Sequence, residues 1–404
     1  MKAIYNKNKH SIKTFLNIFQ LRSFASQQTL PRVPAILTDI DGVVYRGGHE
    51  IGNSKYVIKT ILNHEFELPT QEQQGKQEQQ GIKKFKIPFA LLTNGGGIPE
   101  DERAQYVNHV VGLDQESKDV RIIEGEDMIL CHSPFRSQHL LDKYHDTYVL
   151  VSGLGDMIKI AQIYGYKKAI DIEELMGLYP ELYPERRDQE QLNKLNDKKL
   201  QLLQRLKLSE DQLKKVLKFD AIFLWSDAIR LECNLQIFSD LLISKDGRLG
   251  SENRTKQDAQ HVKLYLTNPD LVYADKFKIL RHGQGILIHC LKQTFKQMYG
   301  FDFTFTQYGK PERATFDYAE EILRQKAQEQ GIEIQDFYMI GDNPDGDIEG
   351  ANQKGWNSIL VKTGVYRHLD EHEKETAHKA KFLVQDMNEA FELILKRENL
   401  RLKL

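Results

Sequence analysis

Two aspartates at the end of an apolar run have the types and spacing to do chemistry. Asp39 and Asp41 follow the apolar run that ends at Thr38, and Gly42 comes directly after them. This pattern is typical of a buried strand that ends in a tight loop. Because side chains alternate along a strand, both carboxylates project to the same side if the chain stays extended. Such carboxylates repel unless a cation or a shared proton compensates them, so the pair predicts a hard-metal site or a split acid and base role.

Other structures also fit these residues when they are taken alone. A turn with solvated aspartate side chains has the same composition. An EF-hand calcium loop fits less well, because that loop needs a ligand at its fifth position and glycine at its sixth, whereas here glycine stands fourth.

Three more loops with chemically useful side chains follow apolar runs further along the chain. The first carries a hydroxyl and three glycines, a source of backbone N–H donors. The second carries a lysine before a proline, and the third carries two more aspartates. The residues concerned are Thr93, Asn94 and Gly95; Lys310; and Asp342 and Asp347.

The elements that must position these loops alternate between strands and helices. Apolar runs of strand length at residues 88–92, 219–225 and 336–340 alternate with stretches of helical periodicity, such as residues 100–111 and 315–330. This alternation predicts an α/β fold with a doubly wound parallel sheet, in which chemistry lies at the carboxyl ends of the strands.

Taken together, the four loops carry DxDG, TN, GKP and GDNxxxD in that order. The ordered set resembles the haloacid dehalogenase-like superfamily of aspartate-dependent phosphohydrolases. Finer features, such as Thr267-Asn268-Pro269-Asp270, look like its class IIA branch, and most of all like the cat eye syndrome critical region protein 5-like group. The resemblance implies a Rossmann-like core with an inserted α/β cap domain.

The resemblance also implies roles for the four aspartates. Asp39 would attack phosphorus and form an aspartyl-phosphate that water then hydrolyses. Asp41 would protonate the leaving group and later deprotonate the water, while its backbone carbonyl would bind the metal. Asp342 would hold Mg²⁺ together with Asp39. Asp347 would complete the metal site by orienting water or Lys310.

Phosphate and substrate binding are implied for a second set of residues. Thr93 and the backbone amides of Asn94 and Gly95 would hydrogen-bond the phosphoryl oxygens, and Lys310 would supply a fixed positive charge, with Thr93 and Lys310 also counted as catalytic. Asn268 and Asp270, on a loop of the cap, are candidates for contact with the substrate. Turn chemistry explains these last two equally well.

We expect the catalytic core at residues 33–139 and 283–404 and the cap at residues 140–282. A highly charged, leucine-containing stretch near residues 185–218 predicts a solvent-facing helical hairpin within the cap. The Gln-rich residues 70–81 predict a surface loop. A cap that closes over the phosphate would exclude water and favour a small phosphorylated metabolite as substrate.

The first residues of the chain have a different composition from the rest. No acidic residue precedes Asp39, and basic residues alternate with apolar ones at roughly helical spacing. This pattern is typical of a mitochondrial transit peptide, which we place at residues 1–32; a disordered basic tail is the alternative. The expected location is mitochondrial, in the matrix.

Overall composition limits the other function classes. The formal net charge is −2 and the isoelectric point is near 6.7, which gives no reason to expect nucleic acid or an anionic membrane as a bulk partner. No run of apolar residues is long enough to span a bilayer. The three cysteines lack metal-site spacing, so we expect them to be reduced and buried.

The sequence thus favours a mitochondrial, Mg²⁺-dependent phosphatase acting on a small phosphomonoester. One alternative is a weakly active or idle subunit of a mitochondrial assembly, with the charged hairpin and the Gln-rich loop as contact elements. Another is a phosphomutase or phosphotransferase, which would share the nucleophile. We also expect either a homodimer or membership of a mitochondrial complex.

Overall fold

The computed structural model describes residues 30–68, 83–183, 187–228, 230–251, 260–273 and 275–402. The strands are β1 (Arg32–Thr38), β2 (Tyr45–Arg46), β3 (His49–Glu50), β4 (Phe66–Leu68), β5 (Lys83–Phe85), β6 (Phe89–Leu92), β7 (Met128–Ile129), β8 (Tyr148–Ser152), β9 (Lys168–Asp171), β10 (Phe219–Leu224), β11 (Lys263–Leu266), β12 (Val272–Tyr273), β13 (Arg281–His282), β14 (Phe305–Gln307), β15 (Glu333–Gly341), β16 (Asn357–Val361), β17 (Phe382–Val384) and β18 (Arg401–Leu402).

The helices lie between these strands. They are α1 (Ser54–Asn63), α2 (Glu100–Val111), α3 (Gln138–Tyr144), α4 (Met157–Tyr164), α5 (Ile172–Leu178), α6 (Gln189–Leu206), α7 (Glu210–Val216), α8 (Leu231–Leu242), α9 (Gly285–Tyr299), α10 (Arg313–Glu329), α11 (Glu349–Gln353), α12 (Val365–His368), α13 (Glu371–Thr376) and α14 (Met387–Arg397).

A six-stranded sheet forms the core, in the order β17-β16-β15-β1-β6-β7, and all its neighbouring strands are parallel. β1 is central, between β15 and β6, and its residues from Val33 onward are buried. Apolar residues dominate β1 because helices cover both faces of such a sheet. The predicted doubly wound parallel core is confirmed.

A second parallel sheet forms the cap, in the order β14-β11-β10-β8-β9. One hydrophobic cluster packs on one of its faces with residues of α5–α9, and another packs on the opposite face with residues of α3 and α4. The predicted α/β cap is therefore itself a doubly wound layer.

The cap sheet includes more of the chain than the expected boundary at residue 282 allows. β14 pairs with β11, and Leu287, Leu291 and Phe295 of α9 belong to the buried cluster on the cap sheet. Both elements had been placed in the core. Since their pairing and burial are with the cap, we propose that the cap extends to about residue 308.

The charged stretch near residues 185–218 forms the helices α6 and α7. Leu195, Leu202 and Leu213 are buried against the cap. The charged residues are exposed or partly exposed, and Arg205 forms an ion pair with the buried Glu174 at 2.7 Å. A capping box between Asp188 and Gln191 fixes the start of α6. The leucines of these two helices make them part of the cap's hydrophobic core.

Some expectations lie wholly or partly outside the described residues, namely most of the transit peptide and the Gln-rich loop. Among the described residues no helix is long and apolar enough to cross a membrane. The three cysteines are free, with Cys131 and Cys233 buried and Cys290 partly buried.

Candidate active site

Three strand ends of the core sheet bring the sequence motifs together. Asp39 follows β1, Thr93 follows the neighbouring strand β6, and Asp342 follows the other neighbour, β15. Their side chains therefore meet at one edge of the sheet, as expected for parallel strands. Lys310 reaches the same place from the loop after β14, the last strand of the cap sheet.

Three buried carboxylates converge at this edge. Single oxygen atoms of Asp39, Asp342 and Asp347 all lie within 4.8 Å of one another. The Lys310 ammonium lies 2.6 Å from Asp39 Oδ1 and 2.6 Å from Asp347 Oδ1. One ammonium among three carboxylates leaves an excess of negative charge in a buried place, which a hard divalent cation would compensate.

The pKa values reflect this excess. Burial raises the pKa of Asp39 well above its usual range, opposed by Lys310 and reinforced by the other carboxylates. Burial, followed by the charge of Asp347, raises the pKa of Asp342 to about 7. Burial alone would lower the pKa of Lys310, but Asp347 and Asp39 hold it above its usual value, so the lysine stays charged.

Backbone hydrogen bonds hold Asp347 in place, and a glycine makes room for Asp342. Asp347 Oδ2 accepts hydrogen bonds from the backbone N–H groups of Asp342 and Asn343 at 3.1 and 3.0 Å. Its other oxygen contacts Lys310, the lysine that Asp347 is expected to orient. Gly42 has φ +91°, and a Cβ there would lie 2.5 Å from Asp342 Oδ2, so only glycine fits.

Asp41 points away from the three-carboxylate cluster. Its Oδ2 accepts hydrogen bonds from the Arg103 guanidinium at 2.7 Å and from the Thr93 hydroxyl at 3.4 Å. Its side chain does not join the carboxylate cluster, which leaves only its backbone carbonyl for the expected metal contact. The carboxylate is half-exposed at the cavity wall, where an acid and base could meet a leaving group.

Arg103 is a site residue that the sequence reading missed. It lies in the first turn of α2, directly after the TN loop, and its guanidinium packs over the rings of Tyr45 and Tyr106 at 5.7 and 5.8 Å. The available signal was an arginine in the first turn of the helix that follows the TN loop.

The TN loop uses its side chains in two ways. The Thr93 hydroxyl accepts a hydrogen bond from the Gly95 N–H at 2.9 Å and faces Asp41. The Asn94 side chain instead bonds both backbone groups of Lys310, at 2.7 and 3.0 Å. Asn94 therefore holds the GKP loop in place, and only its backbone amide is left for the expected phosphate contact.

Asn268 and Asp270 line the cavity and also join the cap to the core. Asn268 Nδ2 donates to the Asn94 carbonyl at 3.1 Å, and Asp270 Oδ2 accepts from Asn94 Nδ2 at 2.8 Å. Burial raises the pKa of Asp270 to about 6. In this structure their polar atoms are used for the cap–core contact.

All the site residues described above line one cavity of about 490 Å³. Asp39, Thr93, Lys310 and Asp342 line its core side, whereas Leu154, Asp227 and Tyr273 line its cap side. This volume suits a small molecule, and the site lies between the two sheets.

Two family models match the chain. A haloacid dehalogenase-like hydrolase model matches residues 36–167, and a HAD-hydrolase-like model matches residues 307–390. The two matches contain all four motifs and leave much of the cap unmatched.

Two curated relatives and one solved structure extend the comparison. A cardiolipin synthase (CMP-forming)/mitochondrial hydrolase fusion protein of Schizosaccharomyces pombe is 31% identical over 337 residues, which are 81% of this chain and 48% of that protein. The chain therefore spans about half of that relative. A mitochondrial hydrolase of Saccharomyces cerevisiae is 28% identical over 364 residues, 85% of this chain and 91% of that protein.

The p-nitrophenyl phosphatase from Archaeoglobus fulgidus superposes with a TM-score of 0.52 at 13% identity, covering 90% of this chain and all of that chain. This likeness confirms the fold. The resemblance drawn from the four motifs is confirmed as well, and so is the prediction of a phosphohydrolase at the level of the family. The chain belongs to the haloacid dehalogenase-like hydrolase superfamily.

Proposed function

We propose that this protein is a mitochondrial, Mg²⁺-dependent phosphatase that hydrolyses a small phosphomonoester through an aspartyl-phosphate intermediate. The observation that carries the proposal is the position of Asp39. Its carboxylate lies on the floor of the cavity, 2.6 Å from the Lys310 ammonium, and its acid and base partner Asp41 stands two residues away.

The first step transfers the phosphoryl group to the protein. A carboxylate oxygen of Asp39 attacks phosphorus and forms a P–O bond, while the bond from phosphorus to the ester oxygen breaks. Asp41 gives its proton to the departing oxygen, which leaves as an alcohol. Lys310 and the backbone amides of the TN loop stabilise the charge on the phosphoryl oxygens.

The second step returns Asp39 to its starting state. Asp41, now ionised, takes a proton from water as that water attacks phosphorus. The bond between phosphorus and the Asp39 oxygen breaks, and inorganic phosphate is released. Arg103 holds the Asp41 carboxylate at 2.7 Å, so the same group can serve in both steps.

Asp39, Asp342 and the Asp41 carbonyl would hold the metal, with Asp347 supporting them. The buried excess of carboxylates fits a hard cation with oxygen ligands, for which Mg²⁺ is our choice. When bound, Mg²⁺ would neutralise charge and let the anionic Asp39 approach an anionic phosphate.

The two named relatives support the mitochondrial location, because both are called mitochondrial hydrolases. The acid-free basic start of the sequence is consistent with that location.

A second candidate concerns the substrate. The Schizosaccharomyces pombe relative joins its hydrolase to a cardiolipin synthase in one chain, and fused activities often serve one route. A phosphate ester carried on a lipid head group is therefore a candidate substrate beside soluble metabolites.

The test is phosphate release from a panel of small phosphomonoesters and phosphorylated lipids, with and without Mg²⁺. We expect turnover that needs Mg²⁺ and that falls at least about a thousandfold in Asp39→Asn. Thermal unfolding of Asp39→Asn would check that the variant is folded.

Three results would contradict the proposal. Turnover that survives Asp39→Asn would exclude the aspartyl-phosphate route. A folded, metal-binding wild-type protein without activity on any ester would favour the idle assembly subunit instead. Phosphate transfer to an added alcohol in place of water would indicate a phosphotransferase.

A further inference from the structure

The hairpin of residues 271–282, formed by β12 and β13, exposes an unusual amount of apolar surface. Leu271, Tyr273, Phe277 and Ile279 are 52%, 40%, 57% and 60% exposed. They are four of the fourteen large hydrophobic side chains exposed among the described residues, and they lie within nine positions of the chain. Isolated exposed side chains of this kind are ordinary, but a cluster usually marks an interaction surface.

The same hairpin is basic. Lys276, Lys278 and Arg281 outnumber its single acidic residue, Asp275. The Arg281 guanidinium lies 5.1 Å from the centre of the Phe277 ring, so charge and apolar surface are presented together. The whole chain carries a formal charge of −2, which makes this positive patch a local feature.

The hairpin also forms part of the wall of the catalytic cavity. Val272, Tyr273, Asp275 and Lys276 line that cavity, and Lys276 packs against the turn at Gly47 of the core. Leu154, 57% exposed, lines the same cavity from another loop of the cap. The exposed apolar surface is thus continuous with the cavity wall at Tyr273.

We propose that the 271–282 hairpin docks on an anionic lipid bilayer. Its apolar side chains enter the head-group region, and its lysines and arginine lie against lipid phosphates. Charge complementarity selects this partner, because each basic residue near an anionic bilayer adds electrostatic attraction, and the adjacent aromatic and aliphatic side chains add apolar burial. Docking would place this wall of the cavity at the membrane surface, and it does not depend on the proposed phosphatase activity.

The experiment needs a local probe, because the basic start of the sequence would itself attract anionic vesicles. Phe277→Trp in the full chain supplies one, since Trp225 and Trp356 are buried and give a constant background. With vesicles of phosphatidylcholine containing cardiolipin we expect a blue shift of the added tryptophan and quenching by brominated acyl chains. Pure phosphatidylcholine vesicles should give neither. Ile163→Trp, at a 54% exposed position on α4, is the matched control and should not respond.

A second measurement compares co-sedimentation with the same vesicles. We expect Phe277→Ser/Ile279→Ser to bind at least about tenfold more weakly than Ile163→Ser/Leu200→Ser, which removes two equally exposed apolar side chains elsewhere. Higher salt should weaken wild-type binding. An unresponsive tryptophan in the Phe277→Trp variant, or equal binding by the two double variants, would overturn the proposal.

A second copy of the chain is the competing occupant. If sedimentation equilibrium shows a dimer that Phe277→Ser/Ile279→Ser dissociates, while the tryptophan of Phe277→Trp does not respond to vesicles, the hairpin is a dimer contact and the membrane proposal is wrong. Hydrolysis of a soluble ester without vesicles reports separately on the proposed phosphatase, so failure of one proposal leaves the other testable.

Discussion

Arg103 positions the Asp41 carboxylate. It donates at 2.7 Å to Asp41 and is held in turn by the rings of Tyr45 and Tyr106. We expect Arg103→Leu to lower kcat about 10- to 100-fold with a smaller change in KM, because the acid and base is then no longer oriented. Steady-state kinetics on a soluble ester checks this prediction.

The matched variant is Arg103→Lys, which keeps the charge but not the planar guanidinium. It should restore part of kcat. A variant Arg103→Leu that raises KM and leaves kcat unchanged would show that Arg103 binds substrate and does not position Asp41.

His132 should make stability depend on pH. It is fully buried, with Nδ1 at 2.6 Å from the Tyr164 hydroxyl, and burial lowers its pKa to about 4. Because the unfolded chain binds the proton near pH 6.5, this histidine stabilises the fold above that pH, and the contribution is lost as pH falls toward 4. We expect it to remove about 2 kcal/mol between pH 7 and pH 5.

Urea unfolding at the two pH values measures this loss. In His132→Phe the stability should change less between pH 7 and pH 5, whereas the exposed His139→Gln should behave like the wild type. An unchanged pH dependence in His132→Phe would assign the acid sensitivity to other groups.

At this scale the motif residues were predictable and their partners were not. Local motifs identify Asp39, Lys310 and Asp342. The sequence analysis therefore expected them in one site, and the structure brings them together. Arg103 with Asp41 and Asn94 with Lys310 are pairs 62 and 216 positions apart, and no local pattern joins them. The roles assigned to these residues stay predictions until the variants are measured.

Helix α6 shows how an element with many charges can still carry a core. Leu202 is fully buried on the cap, while Leu200, two residues earlier, is 53% exposed. Leu202→Ala should lower the free energy of unfolding by about 2 to 5 kcal/mol, since it leaves a cavity. Leu200→Ala should change it by less than about 0.5 kcal/mol. Chemical unfolding of both variants makes the comparison, and equal effects would mean that α6 does not pack as described.

Local pattern predicted most elements, including residues 100–111, which form α2 in full. It could not say which sheet an element joins. α9 and β14 lie within residues 283–404, which were expected in the core, yet both pack with the cap. Strand pairing depends on residues such as Leu264 and Phe305 that lie far apart in sequence. The three-stranded sheet β18-β4-β5 was not predicted, for the same reason.

At the scale of the molecule, two backbone segments of the cap and the core approach each other so closely that no side chain fits between them. The TN loop of the core and the loop after β8 of the cap pass each other at Gly97 and Gly155. The Asp156 N–H donates to the Gly97 carbonyl at 3.2 Å. This contact fixes the height of the cap above the TN loop, and the three glycines in a row after Asn94 were a sequence sign of it.

Gly155→Ala should therefore separate the cap from the core. Its Cβ would lie 1.9 Å from the Gly97 carbonyl oxygen, a distance that forces one loop to move. Gly165 is the matched control, because it also has positive φ, at +94° against +113°, but a Cβ there meets nothing within 4 Å. Both variants should lose about 1 to 2 kcal/mol of stability from left-handed backbone strain. Only Gly155→Ala should also lose about a hundredfold in kcat/KM, because a shift of about 1 Å misplaces the groups around the phosphate. Thermal unfolding and kinetics on a soluble ester separate the two effects, and equal kcat/KM values in the two variants would show that this cap contact does not set the catalytic geometry.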